Sequence, residues 1–252
     1  MNREENSQTL KNKDILEQIK KRLPGYVSLV EGVPYETKGI LSSEILFMIS
    51  CIPDIFTGQI IESGRARGQS TLILAMAFLQ SRILSIELNE DSPDVPVAMA
   101  RLKGYENVSL VYGDSNVILP TITKEGDVVL IDGPKMFAAV RLALTVLQKN
   151  KPVAVFIHDV DVTTPERKFL DMFLPESRFS DRREFAETSA FLDAADALLP
   201  TQRMGGFSGE YGYGFSLAYI PYVKGRQYTL LLLASYLFDL FFRVLRKLSL
   251  IK

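Results

Sequence analysis

Short apolar runs alternate with segments of helical periodicity through the middle of the chain. From residue 58 onward, each apolar run is followed by a stretch whose apolar positions recur at helical spacing. This alternation is typical of βαβ units, in which helices cover both faces of a parallel sheet. With right-handed crossovers, it predicts an α/β fold with a Rossmann-like, doubly wound sheet. The predicted strands are 58–64, 82–87, 108–112, 127–132 and 152–159, and the helices are 70–79, 93–104 and 136–148.

Amphipathic segments precede this regular pattern. An apolar stripe over residues 15–23 predicts a helix that ends at Pro24-Gly25, because that dipeptide favours a turn. A second N-terminal helix is predicted over residues 42–51.

The chain is less regular after residue 160. Helices are predicted over 164–174 and 181–199, and an alternating run at 213–220 predicts an antiparallel strand at the C-terminal edge of the sheet. The segment 203–215, rich in glycine and aromatic residues, is either a lid over a substrate or a hairpin.

Composition and charge narrow the class of protein. The chain has 252 residues, 47% of them hydrophobic and 23% charged, which excludes a disordered chain or a disulfide scaffold. The net charge is −1, and we expect no nucleic-acid partner, because binding to nucleic acid needs a basic footprint. Cys51 stands among apolar residues and is interpreted as a core residue. A single cysteine cannot form an intramolecular disulfide, so we expect a reducing, cytoplasmic compartment. The polar N-terminus lacks the apolar segment of a secretory signal.

The C-terminal segment 227–252 differs from the rest of the chain. It is strongly apolar and carries a net charge of +3, whereas residues 1–226 carry −4. We predict a domain over 1–226 and an apolar, basic helix over 227–252, with its charged residues on one face and Leu237, Phe238 and Phe241 opposite. Three arrangements stay open: a packed or homodimer-forming helix, peripheral contact with a membrane surface, or a spanning helix. The uncharged run 227–238 is short for a span, which needs about 20 residues.

Acidic residues stand at the ends of the predicted strands. In open parallel sheets, ligands bind outside the carboxyl ends of the strands, so these positions are candidate site residues. A rim this acidic suits a cationic ligand or a metal better than a polyphosphate. The strand-end groups are Glu62-Ser63-Gly64, Glu87, Gly113-Asp114-Ser115, Asp132-Gly133-Pro134-Lys135 and His158-Asp159.

The first loop, residues 62–70, lacks the glycine spacing of a dinucleotide-binding loop. Gly64 and Gly68 are three residues apart and would let the backbone approach a ligand closely. Glu62 at the loop mouth would repel a pyrophosphate and suit an ammonium or sulfonium group. Glu87, at the end of the second strand, is placed to accept ribose hydroxyls. Arg65 and Arg67 would hold a carboxylate or be solvated.

These residues together resemble the class I S-adenosylmethionine-dependent methyltransferases, in particular the catechol and caffeoyl-CoA O-methyltransferase type and its bacterial relatives. The motifs are GluSerGlyArgAlaArgGlyGlnSerThr, SerIleGluLeuAsnGluAsp, TyrGlyAspSer and LeuIleAspGlyProLys, preceded by GluThrLysGlyIleLeu, and the resemblance covers about residues 36–160. It implies that S-adenosylmethionine is the cofactor. Its methionine part would lie in the loop with Glu62, Gly64, Gly68 and Ser70, its ribose on Glu87, and its adenine between Asp114 and Ser115, with Asp132 also lining the site.

The resemblance also implies chemistry at the ends of the fourth and fifth strands. Asp132 and Asp159 match two acidic ligands of the metal-dependent members, and Lys135 matches their general base. The third ligand, an Asn, is replaced by Val160, so His158 or Asp161 would substitute, or the acids merely line the cofactor site. Carboxylates would select Mg²⁺, Mn²⁺ or Ca²⁺.

His158, the only histidine, is a candidate base or ligand. Strand alternation predicts that His158 and Asp159 point to opposite sides, and we expect Asp159 to face the pocket.

The expected function is methyl transfer from S-adenosylmethionine to a small-molecule hydroxyl, with Lys135, Asp132 and Asp159 as catalytic residues and Asp132 and Asp159 holding any Mg²⁺. Two alternatives stay open. One is a nicotinamide-dependent oxidoreductase on the same sheet. The other is a membrane-associated module that binds the cofactor without turnover.

Overall fold

A computed structural model of the protein describes residues 10–36, 39–193 and 216–248. These residues form one seven-stranded sheet with the strand order β3-β2-β1-β4-β5-β7-β6. Its strands are β1 (Ile60–Ser63), β2 (Ile83–Glu87), β3 (Val108–Tyr112), β4 (Val128–Ile131), β5 (Ala154–Ile157), β6 (Arg178–Phe179) and β7 (Ala218–Pro221).

The first five strands are parallel to one another, and β7 runs antiparallel to β5. The predicted α/β fold with a Rossmann-like, mostly parallel sheet is therefore confirmed, including its antiparallel C-terminal strand. Within the described residues, the two-residue β6 pairs with the outer side of β7, so the antiparallel edge consists of β7 and β6. All four residues of β7 are buried, as a strand between two neighbours requires.

The nine α-helices of the described residues cover both faces of the sheet. They are α1 (Asn12–Val30), α2 (Ser42–Cys51), α3 (Gln69–Ala77), α4 (Asp94–Leu102), α5 (Ser115–Ile122), α6 (Phe137–Asn150), α7 (Pro165–Phe173), α8 (Arg183–Ser189) and α9 (Tyr228–Lys247). Alternating strand residues supply the two cores: Val128 and Leu130 of β4 pack with α1, α2 and α3, while Val129 and Ile131 pack with α6 and α7. Cys51 is buried among the first group, as predicted.

One helix prediction is wrong, and one helix was not predicted. The helix α1 does not end at Pro24 but continues to Val30. Proline removes one backbone donor, and packing outweighs that loss, because Tyr26 is buried and its hydroxyl donates to Ser42 O at 2.8 Å. The helix α5 is absent from the prediction; it forms around Pro120 because Asp114 caps it, accepting from Asn116 N at 2.8 Å.

The predicted C-terminal helix forms as α9, but its faces are not those expected. Phe238 and Asp239 point inward, where Phe238 packs on Phe137 and Phe169 and Asp239 pairs with Arg141 at 3.1 Å. Among the described residues, α9 is the helix that is long and apolar enough to cross a membrane, by length and composition alone. Some apolar residues of α9, such as Phe238, pack on the domain, and others, such as Leu237 and Leu240, are exposed. The helix therefore has one packed and one exposed apolar face.

Candidate functional site

The loop that joins β1 to α3 is anchored by a buried carboxylate. Glu62 is fully buried, and its two oxygens accept hydrogen bonds from the hydroxyls of Ser70, Thr71 and Ser85. Burial raises the pKa of Glu62, and the hydrogen bonds from Ser70 and Thr71 oppose that shift. The prediction that Glu62 faces a ligand at the loop mouth is corrected: its carboxylate lies beneath the loop and fixes the start of α3.

Gly64 brings this loop against the end of β4. Its φ of +85° lies in the left-handed region, and a Cβ there would stand 2.8 Å from Asp132 C and from Gly133 N. Gly68 also has a positive φ, +75°, and is the N-cap of α3. Both predicted glycines are therefore required by the backbone, and the first N–H groups of α3 open toward the space above the sheet.

Arg65 has a buried guanidinium, and most of its N–H groups have no hydrogen-bond partner. Its side chain is 2% exposed, and Nη1 donates to Ser85 O at 3.1 Å. The guanidinium lies 5.1 Å from the centre of the Tyr112 ring. Its Nε and Nη2 have no hydrogen-bond partner. Since an unpaired buried donor is costly, these two groups favour an anionic ligand in the adjoining cavity.

A cavity of about 280 Å³ opens above the loop, at the carboxyl ends of the strands. Its lining includes the predicted residues Gly64, Ser70 and Asp132, together with Glu36, Arg65 and Gln69 that sequence reasoning had not assigned or had left open. Glu36 accepts from Arg67 at 3.2 Å and from Arg101 at 2.5 Å, so Arg67 is an ion-paired wall residue. The sequence offered no signal for Glu36, because these pairs join segments far apart in the chain.

Glu87, Asp114 and Ser115 stand at the neighbouring strand ends, as predicted. Glu87 accepts hydrogen bonds from the backbone N–H groups of Ala66 and Leu88, at 3.0 and 2.9 Å. This contact ties the end of β2 to the glycine loop. Asp114 is an exposed helix cap, and Ser115 is the first residue of α5. Their contacts with a ribose and an adenine stay predictions.

Four charged side chains form a cluster beside the cavity. His158 Nδ1 lies 2.7 Å from Asp132 Oδ1 and 3.4 Å from Asp159 Oδ1. Lys135 contacts Asp132 and donates to Asp159 Oδ2 at 2.6 Å. The prediction that His158 and Asp159 point apart is wrong, because Asp159 adopts a φ of +62° and the extended alternation stops there.

Glu44 completes the cluster from the opposite side and was not predicted. It is buried in the first turn of α2, where Oε2 accepts from Leu41 N at 3.0 Å and lies 3.3 Å from His158 Nε2. Burial disfavours a charged imidazole, but Glu44 and Asp132 outweigh it and hold the pKa of His158 well above its usual value. His158 is therefore an imidazolium held between two carboxylates, rather than a free base.

Lys135 is likewise a stabilised cation. Burial alone would lower its pKa, but Asp132 and Asp159 raise it above the ordinary lysine value. His158 and Lys135 together lower the pKa of Asp159 against the effect of its burial. A general base needs the opposite shift, so the predicted base role of Lys135 does not agree with its surroundings.

The charged cluster contains three side chains of the types that ligate a divalent ion. One atom each from Asp132, His158 and Asp159 lies within 4.8 Å of the others, which is close enough to ligate one ion. Both nitrogens of His158 face carboxylates, however, and the Lys135 ammonium already bridges the two aspartates. Val160, at the position of the missing Asn, is buried. A metal would have to displace Lys135 and deprotonate His158, so the residues as arranged do not fit one, and Mg²⁺ binding stays an untested prediction.

The glycine and aromatic segment 203–215 lies outside the described residues, and so does part of the predicted helix 181–199. The described part of that helix is α8, followed by a 3₁₀ turn over Ala190–Leu192.

No protein-family model matches the chain, and no curated protein matches it in sequence. Among solved structures, the chain is similar to an O-methyltransferase from Bacillus cereus in complex with SAH, with 14% identity, 81% of this chain and 90% of that chain covered, and a TM-score of 0.49. It is also similar to a putative O-methyltransferase from Klebsiella pneumoniae, with 15% identity, 83% and 89% covered, and a TM-score of 0.45. A third similar structure is the O-methyltransferase TomG from Streptomyces achromogenes in complex with SAM, with 16% identity, 86% and 93% covered, and a TM-score of 0.44.

Proposed function

We propose that the protein transfers a methyl group from S-adenosylmethionine to a hydroxyl group of a small molecule. One observation carries the proposal: a single cavity joins the glycine loop, with its unsatisfied buried Arg65, to the charged cluster at Asp132. Arg65 of the loop provides a cation for an anionic group, and Asp132 provides a carboxylate for a cationic group. An amino acid that also bears a sulfonium group carries both charges and matches this cavity.

The binding half consists of Arg65 and the start of α3. Nε and Nη2 of Arg65 would bind the carboxylate of the methionine part, which removes the cost of leaving them unpaired. Gly64 has no side chain and so permits the cofactor to approach the backbone closely, and Ser70 and Asp132 line the same cavity. Glu62 acts from beneath, by holding Ser70 and Thr71 in place. Glu87 would accept the ribose hydroxyls, and Asp114 and Ser115 would flank the adenine.

The reacting half consists of Lys135, His158 and the two aspartates. S-adenosylmethionine, when bound, supplies an electrophilic sulfonium methyl. The Lys135 ammonium would donate to the acceptor oxygen and lower the pKa of the acceptor hydroxyl. The proton would pass to solvent by way of Asp159, which is about half exposed. The resulting oxygen nucleophile would form the new carbon–oxygen bond as the carbon–sulfur bond breaks.

The positioning role falls to His158. Held between Glu44 and Asp132, the imidazolium fixes the orientation of Asp132 and offsets the negative charge of the cluster. Lys135 and His158 then supply the positive charge for which the sequence suggested a metal, so no step requires a divalent ion.

The test measures release of S-adenosylhomocysteine by the purified full chain with a panel of phenolic, catechol-like and aliphatic hydroxyl acceptors. Thermal shifts with S-adenosylmethionine and with NAD(H) precede the activity assay. Stabilisation by S-adenosylmethionine with product release supports the proposal. Stabilisation by NAD(H) alone would replace it with the oxidoreductase alternative. Cofactor binding without product release across the panel would favour the module that binds without turnover.

A further inference from the structure

The outward face of α9 carries a continuous apolar stripe. Its large side chains are between 46% and 63% exposed. They recur at intervals of three and four residues, with one adjacent pair, which places them on one side of a helix. The stripe runs the whole length of α9, about 27 Å at the helical rise. Its members are Leu230, Leu233, Leu237, Leu240, Phe241, Val244 and Leu248.

This stripe is not needed to hold α9 on the domain. The opposite face of the helix is bound by its own contacts, which include the burial of Tyr228 and Ser235 and the Asp239–Arg141 ion pair. Phe238 enters a ring cluster with Phe137 and Phe169. A helix with one packed side and a second apolar side exposed to solvent is unusual in a soluble monomer and marks an interaction surface.

Basic side chains stand at both ends of the stripe. Gln148, which donates to Thr229 at 2.6 Å, places the end of α6 beside the start of α9, and exposed lysines follow there. At the other end, Lys168 of α7 lies 5.4 Å from the Phe242 ring, next to exposed basic residues of α9. The exposed basic residues are Lys149, Lys151 and Lys224 at one end and Lys168, Arg243 and Lys247 at the other.

The acidic residues near the stripe are already neutralised or buried. Asp239 pairs with Arg141 and Arg243, and Glu176 pairs with Arg226. Asp171 lies 3.3 Å from Arg167, and Glu166 is 4% exposed. Within the part of the chain that the structure describes, this side of the molecule therefore presents an apolar strip between two positive ends.

We propose that α9 seats the protein on an anionic membrane surface, with the stripe at the level of the lipid headgroups and the helix axis in the membrane plane. An amphipathic helix with basic residues beside its apolar face binds such a surface by apolar burial and by attraction to anionic lipids. Because its inner face is committed to α6 and α7, α9 lies on the membrane rather than crossing it.

Charge argues against a second copy of the chain as the occupant. Two stripes packed antiparallel would bring the basic end of each α9 against Lys149, Lys151 and Lys224 of the other copy. Two stripes packed parallel would set Lys247 of each copy near the other. The one carboxylate of α9, Asp239, is already paired with Arg141 and Arg243, whereas anionic lipid supplies unpaired negative charge.

Vesicle flotation of the full chain tests the proposal. The vesicles are phosphatidylcholine alone, or phosphatidylcholine with about 30% phosphatidylglycerol, an anionic lipid. We expect binding to the anionic vesicles that weakens at high salt, and much weaker binding to phosphatidylcholine alone. The stripe variant Leu237→Gln/Leu240→Gln should lower the partition coefficient by about 100-fold, since two large apolar side chains no longer transfer. The variant Lys224→Gln/Lys247→Gln, with one basic residue removed at each end of the stripe, should lower it by about 25-fold, from the attraction of each basic residue to the surface.

Matched controls separate these effects from misfolding. Ile55→Gln/Leu79→Gln removes two exposed apolar residues away from α9, and Lys13→Gln/Lys20→Gln removes two exposed charges from α1. Both should float like the parent, and all variants should keep its thermal unfolding midpoint. Equal flotation of the stripe variant and the parent would overturn the proposal. Absence of flotation with the anionic vesicles would also overturn it, and a dimer in sedimentation equilibrium that the stripe variant dissociates would then assign the stripe to a second copy of the chain.

Discussion

His158 Nδ1 lies 2.7 Å from Asp132 Oδ1, and its other ring nitrogen lies 3.3 Å from Glu44 Oε2, so the one histidine of the chain is enclosed by two carboxylates from opposite sides. The pair Asp132 and His158 joins the ends of β4 and β5, while Glu44 extends the contact to α2. This arrangement links the packing of the N-terminal helices to the charge state of the candidate site.

The titration of His158 is the first prediction. Nuclear magnetic resonance of the ring should show a single imidazole that stays protonated well above pH 6.5, because Glu44 and Asp132 outweigh the effect of burial. A histidine pKa that is higher in the folded chain stabilises the fold fully below the unfolded value and loses that contribution as the pH rises through the folded value. We therefore expect the free energy of unfolding to fall on the alkaline side. A ring that titrates at or below pH 6.5 would contradict the imidazolium assignment.

Replacement of Lys135 is the second prediction. Lys135→Gln should reduce kcat by about 100-fold to 1000-fold, the usual cost of removing one donor to a developing oxyanion. The KM for S-adenosylmethionine should change little, and Lys135→Arg should restore part of the rate, because a cation remains. Lys149→Gln, an exposed lysine on α6, is the matched control and should behave like the parent. A rate unchanged in Lys135→Gln would remove Lys135 from the mechanism.

Replacement of Arg65 separates cofactor binding from stability, and it is the third prediction. Arg65→Met should keep or raise the thermal unfolding midpoint of the free protein, because it removes a buried guanidinium with two unpaired groups. The additional stabilisation by S-adenosylmethionine should be lost in the same variant. Arg82→Met, an exposed arginine outside the cavity, should keep that stabilisation. If Arg65→Met responded to the cofactor like the parent, the carboxylate contact would be wrong.

Gly64 provides the fourth prediction. Gly64→Ala should cost more than about 2 kcal/mol of unfolding free energy and weaken cofactor binding, because the new Cβ would meet backbone atoms of Asp132 and Gly133 at 2.8 Å. Gly104→Ala is the control: its φ of +94° is similar, but no atom lies within 4 Å of the new Cβ, so it should cost only about 1 kcal/mol. Chemical denaturation measures both. An equal loss of unfolding free energy in the two variants would show that the close approach of Gly64 to Asp132 and Gly133 does not matter for stability.

Metal removal is the fifth prediction. Methyl transfer in the presence of EDTA should equal the transfer with added Mg²⁺, since Lys135 and His158 already supply the cations of the cluster. A loss of activity in EDTA that Mg²⁺ reverses would restore the metal assignment of Asp132 and Asp159. It would leave the cofactor proposal intact.

The order of apolar runs and helical segments was sufficient to predict the sheet. Val128 to Ile131 is apolar on both faces of β4, and such runs are buried only in a sheet covered on both sides. Because parallel strands end at one edge, Asp132 and Asp159 could be placed near each other from their positions alone. The requirement for glycine at residues 64 and 68 was also readable, since it follows from the local backbone.

Side-chain direction and distant contacts required the tertiary structure. Glu44 and His158 are 114 residues apart, and no local pattern joins them. The Glu62 carboxylate lies beneath its loop because three hydroxyls from α3 and β2 donate to it there. Asp132 and Asp159 together raise the pKa of Lys135, and Asp159 reaches this position through a left-handed backbone conformation that strand alternation does not predict. In α9 the sequence determined an apolar, basic helix. Packing on α6 and α7 then determined which of its two apolar sides faces outward. Phe238 packs on Phe137 and Asp239 pairs with Arg141, whereas the stripe from Leu230 to Leu248 is exposed.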